Sequence, residues 1–435
     1  MKILILGEVG LDESSKASFQ FFTSLFSYRS VIFESQLAAI TPKKHTAKVL
    51  NANEKINYND DFDAVLINFK TSAAPGAYKT ADKFKKKGVK VILAGQHTSA
   101  LPKEAETHAD SIILGVAEKI WPKVVEDLEK GKLKPKYDST KIKDFPLLPS
   151  TADLMIDSDF KIVAPIEATR GCPEKCAFCQ YSNAPDGSTF YTRPIDDVIK
   201  EIKALPQKIL YFKDLSLTIK PSYTKELFKN MKGLKKKFLC HGNINVLAKD
   251  EELVRLSHEA GCIEWIIGFE SFSQDILNNI HKSSNKVKDY QKAVEIMHKY
   301  KISVNGTFVF GFDEDTPDVF KATAENIYNL GLDSAIFAVL TPYPGTPLFN
   351  KLKKEGRILT YDWFEYNRKN IVFQPKNMTI EELENGYKQL TKQFNSAPRV
   401  TYRILRSLRR GFYPAFFTFG SNIGSYMASI NRSKA

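Results

Sequence analysis

Cysteine is scarce in this chain of 435 residues, and most of what there is stands in one place. Five cysteines, an odd number with three clustered, make no disulfide framework and fit a reducing, cytoplasmic setting. Long hydrophobic runs are missing too. No segment approaches ~18 uninterrupted apolar residues, so no transmembrane helix is expected. The N-terminus, MKILILGEVGLDESS, has one lysine and a short apolar run, without a long hydrophobic core or a small-residue cleavage site. It reads as a first β-strand rather than a signal peptide. Negative charge is in deficit: 50 Asp+Glu stand against 63 Lys+Arg, a net charge of +13. Much of the excess is lysine in runs such as Lys85–Lys87 and Lys235–Lys237. Such runs are read as solvated surface, with affinity for an anionic partner as the alternative. A recognised nucleic-acid-binding module is absent, and no nucleic-acid partner is expected. With 43% hydrophobic and 26% charged residues, the remainder is ordinary globular composition, long enough for two or three domains.

Residues 1–135 alternate short apolar strands with amphipathic helices. Lys2–Gly7, Ala47–Asn51, Ala64–Phe69, Lys90–Gly95 and Ser111–Gly115 are the expected strands. Pro75–Lys87 and Glu118–Lys130 have helical spacing, the second with Ile120, Val124, Val125 and Leu128 on one face. This pattern predicts an open parallel sheet covered on both sides, a Rossmann-like (flavodoxin-like) domain. Such sheets bind ligands beyond the C-terminal ends of their strands, where GQHTSALP, Gly95–Pro102, lies.

Residues 136–155 carry no clear period and read as a linker. Six more strands are expected at Val163–Thr169, Lys208–Asp214, Phe238–Asn245, Trp265–Ser271, Ser303–Gly311 and Ser334–Pro342. Six strand–helix units over residues 156–360 predict a partial (β/α)6 barrel, whose chemistry belongs on the loops after the strands. Residues 361–435 form a C-terminal helical region, with a helix over Glu381–Phe394. Its tail sets five arginines around Ile404, Leu405 and Leu408 in RVTYRILRSLRR, followed by the aromatic stretch GFYPAFFTFG.

The clustered cysteines, Cys172, Cys176 and Cys179, follow the first barrel strand in TRGCPEKCAFCQYS. A structural zinc site normally takes four ligands, often as two separated pairs, and a zinc loop here would need a distant fourth. A disulfide is disfavoured by compartment and count. Three thiolates on a tight loop suit an iron–sulfur cluster that leaves one iron unligated by protein.

The C-x3-C-x-aromatic-C pattern at the end of a first barrel strand resembles the radical S-adenosylmethionine (SAM) superfamily. Further segments carry the resemblance. YFKDLSLTI looks like the family's second-strand segment, though only Asp214 of its usual acids remains. GFES, Gly268–Ser271, matches a motif after the fourth strand, and TFVFGFDE resembles the adenine-contacting segment with Thr307 and Val309 as replacements. TPYPGTPL, Thr341–Leu348, looks like the sixth-strand end of one large subgroup, which places a cobalamin-binding domain before its barrel. Residues 63–135 resemble that domain, without its D-x-H-x-x-G signature and with Ala94-Gly95-Gln96 in place of its double glycine.

The resemblance implies that Cys172, Cys176 and Cys179 hold a 4Fe–4S cluster whose fourth iron chelates SAM. One electron then cleaves SAM to methionine and a 5′-deoxyadenosyl radical, which abstracts hydrogen from an unreactive carbon. It also implies cofactor contacts for Phe178, Asp214, Glu270, Val309, Gly311 and His97. For Asp214 and Glu270 a structural hydrogen bond is the alternative, and for His97 a loop-stabilising one. Cobalamin, if bound, is expected without a protein histidine on cobalt. The implied reaction is cobalamin-dependent C-methylation of a hydrophobic small molecule. A ring closure, C–C coupling or oxidation is the runner-up, and an iron–sulfur electron-transfer or regulatory protein is the alternative of another class. An electron donor such as flavodoxin or ferredoxin is implied. The tail either packs on the barrel or lies at a membrane surface, giving a cytoplasmic protein with peripheral membrane contact.

Overall fold

The computed structural model describes residues 1–7, 32–50, 56–142, 145, 150–152, 162–282 and 284–432. Its first sheet has six parallel strands: β1 Lys2–Gly7, β2 Thr46–Leu50, β3 Ala64–Asn68, β4 Lys90–Ala94, β5 Ser111–Leu114 and β6 Lys136–Asp138. Their order, β2-β1-β3-β4-β5-β6, is that of a doubly wound domain. Leu66 and Ile92 face one helical layer with Trp121 and Val125, while Val65 and Val91 face the other with Ala77 and Phe84. Burial on both faces is why these strands read as unbroken apolar runs.

Strand β6 corrects the expected linker, since its residues 136–138 complete the sheet. Tyr137 is buried there, and its hydroxyl donates to Asp127 at 2.9 Å. Three residues after a proline are too few to show a period of two. Residues 143–144, 146–149 and 153–155 of that segment lie outside the described residues.

Two short strands, β8 Thr169–Arg170 and β9 Tyr191–Thr192, follow β7 Val163–Ile166 as an antiparallel pair. The second large sheet continues through β10 Ile209–Phe212, β11 Lys237–Gly242, β12 Cys262–Glu270, β13 Ser303–Phe310 and β14 Ser334–Val339. All six strands run parallel in chain order from β7 to β14, each pair bridged by helix, as expected for the partial barrel. Cys240, Trp265, Ile267, Phe308 and Phe310 pack outward against the helices.

Inside, Val163, Ile209, Leu239 and Ile263, from the starts of four strands, meet Tyr413 and Phe417 of the helix Phe412–Arg432 in one apolar cluster. Residues of β7 through β12 share these contacts with a single helix, so the sheet curves around it. Thr418 lies 3.3 Å from Ser303 at the foot of β13. The last helix is therefore the floor of the barrel.

The tail packs on the barrel. Arg403 donates to Asn422 at 2.6 Å and to the Phe394 carbonyl at 2.8 Å, and Arg406 donates to the carbonyls of Gly331 and Leu332. Arg410 pairs with fully buried Asp333. Arg406 thereby caps the C-terminus of the helix Val319–Leu330, where free carbonyls and the helix dipole favour a cation. Among the described residues, no helix is long and apolar enough to cross a membrane.

Candidate active site: a cysteine loop at the strand ends

Gly171 opens the loop at φ 88°, and a Cβ there would sit 1.8 Å from the Thr189 carbonyl oxygen. No other residue fits so close to backbone. The Cys172 amide donates to the Gly187 carbonyl at 2.8 Å, and Asn183 Nδ2 donates to the carbonyls of Cys176 and Cys179, both at 2.8 Å. The loop is also stitched to two distant helices, Gln274–Asn279 and Pro347–Lys354. The Ala177 amide donates to Ile280 O at 2.9 Å, and the Leu348 amide donates to Ala177 O at 3.0 Å. Phe178 packs half-buried, with its ring 6.1 Å from that of Phe312.

All three thiols are free, Cys176 buried and the other two half-buried. Burial pushes the Cys176 thiol up to about 12 and raises Cys172, and each of the two feels the charge of Cys179. Such thiols ionise only with a cation to hold them, so metal binding would expel their protons. Among the described residues, no three His, Cys, Asp or Glu side chains close around a single ion. Three free thiols on one loop are a donor set that would hold an iron–sulfur cluster.

Glu270 ends β12 in the left-handed region at φ 65°, at a register shift between Gly268 and Glu270. Its carboxylate accepts a hydrogen bond from Lys282 Nζ at 2.5 Å. Burial alone would lower Lys282, but Glu270, Cys176 and Cys179 together hold it above its ordinary value. Lys282 thus places a positive charge beside the thiols. Sequence reasoning missed it, because a lysine in a polar loop of a lysine-rich chain carries no motif.

The expected cofactor contacts separate into two groups. Val309 is half-buried at the end of β13, and Gly311 follows at φ 104°. The amides of Gly311 and Phe312 donate to Asp315 at 2.9 and 3.0 Å, fixing this strand end. Asp214, by contrast, is fully buried. It accepts from the amides of Ala168 and Thr169 and from the Thr169 hydroxyl at 2.6 Å, pinning the passage from β7 into the loop. Burial pushes Asp214 up to about 7 against these hydrogen bonds.

His97 is also fully buried, with Nδ1 3.3 Å from the Thr71 hydroxyl and Nε2 3.3 Å from Glu104. Trp363 covers its ring at 5.3 Å and donates to Glu104 at 2.9 Å. The domain's other histidines lie elsewhere: His45 beside the Met1 amine, and His108 stacked on Tyr78 and paired with Asp82.

The sheet ends and the cysteine loop join directly. Gln180, next to Cys179, donates to the Thr71 hydroxyl at 2.7 Å. Arg170 pairs with Glu118 and Glu167 and donates to Gln36 at 2.7 Å. Lys119 donates to Tyr191 at 3.0 Å and pairs with Asp186 at 3.1 Å. Gly345 faces Ala100, whose Cβ would be 3.2 Å from an added Cβ. The seam is polar, and of its residues the sequence pointed only to His97.

Higher strand positions line the barrel interior with a second polar group. Tyr211 OH lies 2.7 Å from His241 Nε2, and Asn305 Nδ2 donates to Glu264 at 3.4 Å. Glu264 Oε2 and Asn305 Oδ1 are buried without a hydrogen-bond partner. Burial, followed by the charge of Lys213, drops His241 to about 4, and burial lifts Glu264 to about 7.

The radical SAM superfamily profile matches residues 166–327, and a domain of unknown function matches residues 346–415. The chain is 32% identical over 354 residues to the bacteriochlorophyllide d C-12(1)-methyltransferase of Chlorobaculum tepidum, covering 79% of this chain and 77% of that one. It is 31% identical over 382 residues to the bacteriochlorophyllide d C-8(2)-methyltransferase of the same organism, covering 81% and 82%. The fold matches the radical SAM methyltransferase TsrM of Kitasatospora setae, solved with cobalamin and a 4Fe–4S cluster, with a TM-score of 0.66 at 12% identity. That match covers 95% of this chain and 91% of that one. The protein is an enzyme that belongs to the radical SAM superfamily, in the subgroup with a sheet domain of the cobalamin-binding type before its barrel.

Proposed function

We propose that the protein is a cobalamin-dependent radical SAM C-methyltransferase acting on an unactivated carbon of a hydrophobic substrate, with tetrapyrroles the first class to test. The carrying observation is the three-thiol loop at the strand ends, hydrogen-bonded through Gln180 and Thr71 to a doubly wound sheet domain. The likeness to two tetrapyrrole methyltransferases over more than three quarters of the chain supports the substrate class. When bound, the cofactors supply reductive SAM cleavage and a methyl carrier. Cys172, Cys176 and Cys179 hold the cluster and leave one iron open. Phe178 shields the loop. Glu270, held by Lys282, and the Val309–Gly311 edge are the proposed SAM contacts. The floor and walls exclude water from the carbon that reacts.

The test is anaerobic reconstitution with iron, sulfide and cobalamin, followed by reduction with methyl-deuterated SAM and a magnesium-free chlorophyllide-type substrate. Label in the product and 5′-deoxyadenosine are both expected. 5′-Deoxyadenosine without label would replace methylation by oxidation or ring closure, and neither product would remove the radical reading.

The electron comes from a separate one-electron donor of the flavodoxin or ferredoxin kind. Peripheral contact with a membrane rests on Leu405, Leu408 and Phe412, which are 60%, 59% and 75% exposed beside solvent-facing Arg409. The protein is expected to float with phosphatidylglycerol vesicles at low salt, and a Leu408→Ser, Phe412→Ser double variant to stay in the dense fraction. Equal flotation of the two would remove this contact.

A further inference from the structure

A cavity of about 260 Å³ lies between the helices Val319–Leu330, Ile380–Phe394 and Ala397–Ser407. It opens near the feet of the barrel strands, at the end opposite the cysteines. Ala324, Ile327, Leu332 and Phe394 give it an apolar wall. Arg399, Arg403 and Arg406, spaced for one helix face, line the other side. At the mouth, the rings of Tyr328 and Tyr402 stack 5.8 Å apart.

Cation outweighs anion around this cavity. Asp333, next to the lining residue Leu332, is already paired with Arg410, with His298 Nε2 at 3.0 Å and with Arg406 at 3.5 Å. Arg403 is 6% exposed, yet its acceptors are neutral: the Asn422 amide oxygen, the Phe394 carbonyl and the Phe394 ring, whose centroid is 3.8 Å away. Arg406 Nε is buried without a hydrogen-bond partner. Among the described residues Arg399 forms no ion pair. Burial, and then the positive charge of Arg406 and Arg399, drives Arg403 down to about 9. Buried cations are normally paired, yet Arg403 has only neutral acceptors and Arg406 shares its one carboxylate with Arg410.

We propose that this cavity is a binding site for an amphiphilic anion, a molecule with a carboxylate or phosphate head and a short apolar body. The head meets the fork of Arg399 and Arg406, which matches planar or tetrahedral oxyanions. The apolar body lies along Ala324 and Ile327. The site is outside the barrel, so its occupancy is independent of the methylation reading.

Calorimetric titration of the full, reconstituted chain with octyl phosphate, inorganic phosphate and 1-octanol tests the proposal. Octyl phosphate is expected to bind at least ~10-fold more tightly than either, since each of the others lacks one half of the contact. Arg399→Gln weakens octyl phosphate about tenfold through loss of a charge-assisted hydrogen bond. Ala324→Leu, which fills the apolar end and keeps every arginine, weakens it as well. Neither variant changes iron content or 5′-deoxyadenosine formation. Competition by phosphatidylglycerol vesicles would identify a membrane lipid as the source, and its absence a free amphiphile; both support the site. Equal binding by wild type and Arg399→Gln, or octanol binding as tightly as octyl phosphate, overturns it.

Discussion

Cys176→Ala leaves a folded chain that takes up no 4Fe–4S cluster after anaerobic reconstitution, where the wild type takes up about four iron atoms. SAM cleavage falls to background with it. The argument is geometric. The three thiols on one loop have no spare thiolate to replace a lost one, because the two remaining cysteines, Cys240 and Cys262, are buried in the outward-facing core. Cys176 is small and its backbone carbonyl, not its thiol, anchors Asn183, so circular dichroism and melting change little. Cys172→Ser provides a second variant if the first misfolds. Cys240→Ala is the control. Its sulfur lies 4.0 Å from that of Cys262 in the outward-facing core, so it keeps the iron. Iron retained by Cys176→Ala, or lost by Cys240→Ala, would contradict the assignment.

Glu264→Gln makes the protein less sensitive to rising pH. Glu264 is fully buried, with Asn305 as its hydrogen-bond partner and Tyr211 and Cys240 within electrostatic reach. Burial raises it from 4.5 to about 7. The folded chain therefore binds this proton more tightly than the unfolded chain. That contribution is fully present below pH ~4.5 and is lost as pH rises through ~7, a change of about 3 kcal/mol. Asp214 and Asp315, raised to about 7 and about 6, tilt the same way, so the difference between variant and wild type isolates Glu264. Urea titrations between pH 5 and 8 should show the variant gaining on the wild type as pH rises. Parallel curves would mean that Glu264 is ionised throughout.

The fold was largely legible because parallel strands buried on both faces leave long apolar signatures, and all eleven expected strands form within a few residues of their bounds. Strand β6 was not, being three residues held by pairing with β5 rather than by any pattern of its own. The cysteine loop announced itself because ligand spacing is local. Lys282, Thr71 and Gln180 did not, since each matters through a partner far away in sequence: Glu270, His97 and Thr71 respectively. In the tail, periodicity identified an arginine-rich amphipathic helix but not which way it turned. Arg403, Arg406 and Arg410 point inward because the carbonyls of Phe394, Gly331 and Leu332 and the carboxylate of Asp333 wait there. Those acceptors exist only once the barrel has folded.

That last dependence sets an order of events during synthesis. Tyr413 and Phe417 leave the ribosome after all six barrel strands, so Val163, Ile209, Leu239 and Ile263 face water until the final helix arrives. The nascent barrel is a tube open at both ends, with an apolar ring at its rear. This is the interval in which it is most exposed to aggregation and to chaperone capture. Slow decoding ahead of that helix would lengthen that interval, and yield of folded protein would then be governed by residues 412–432.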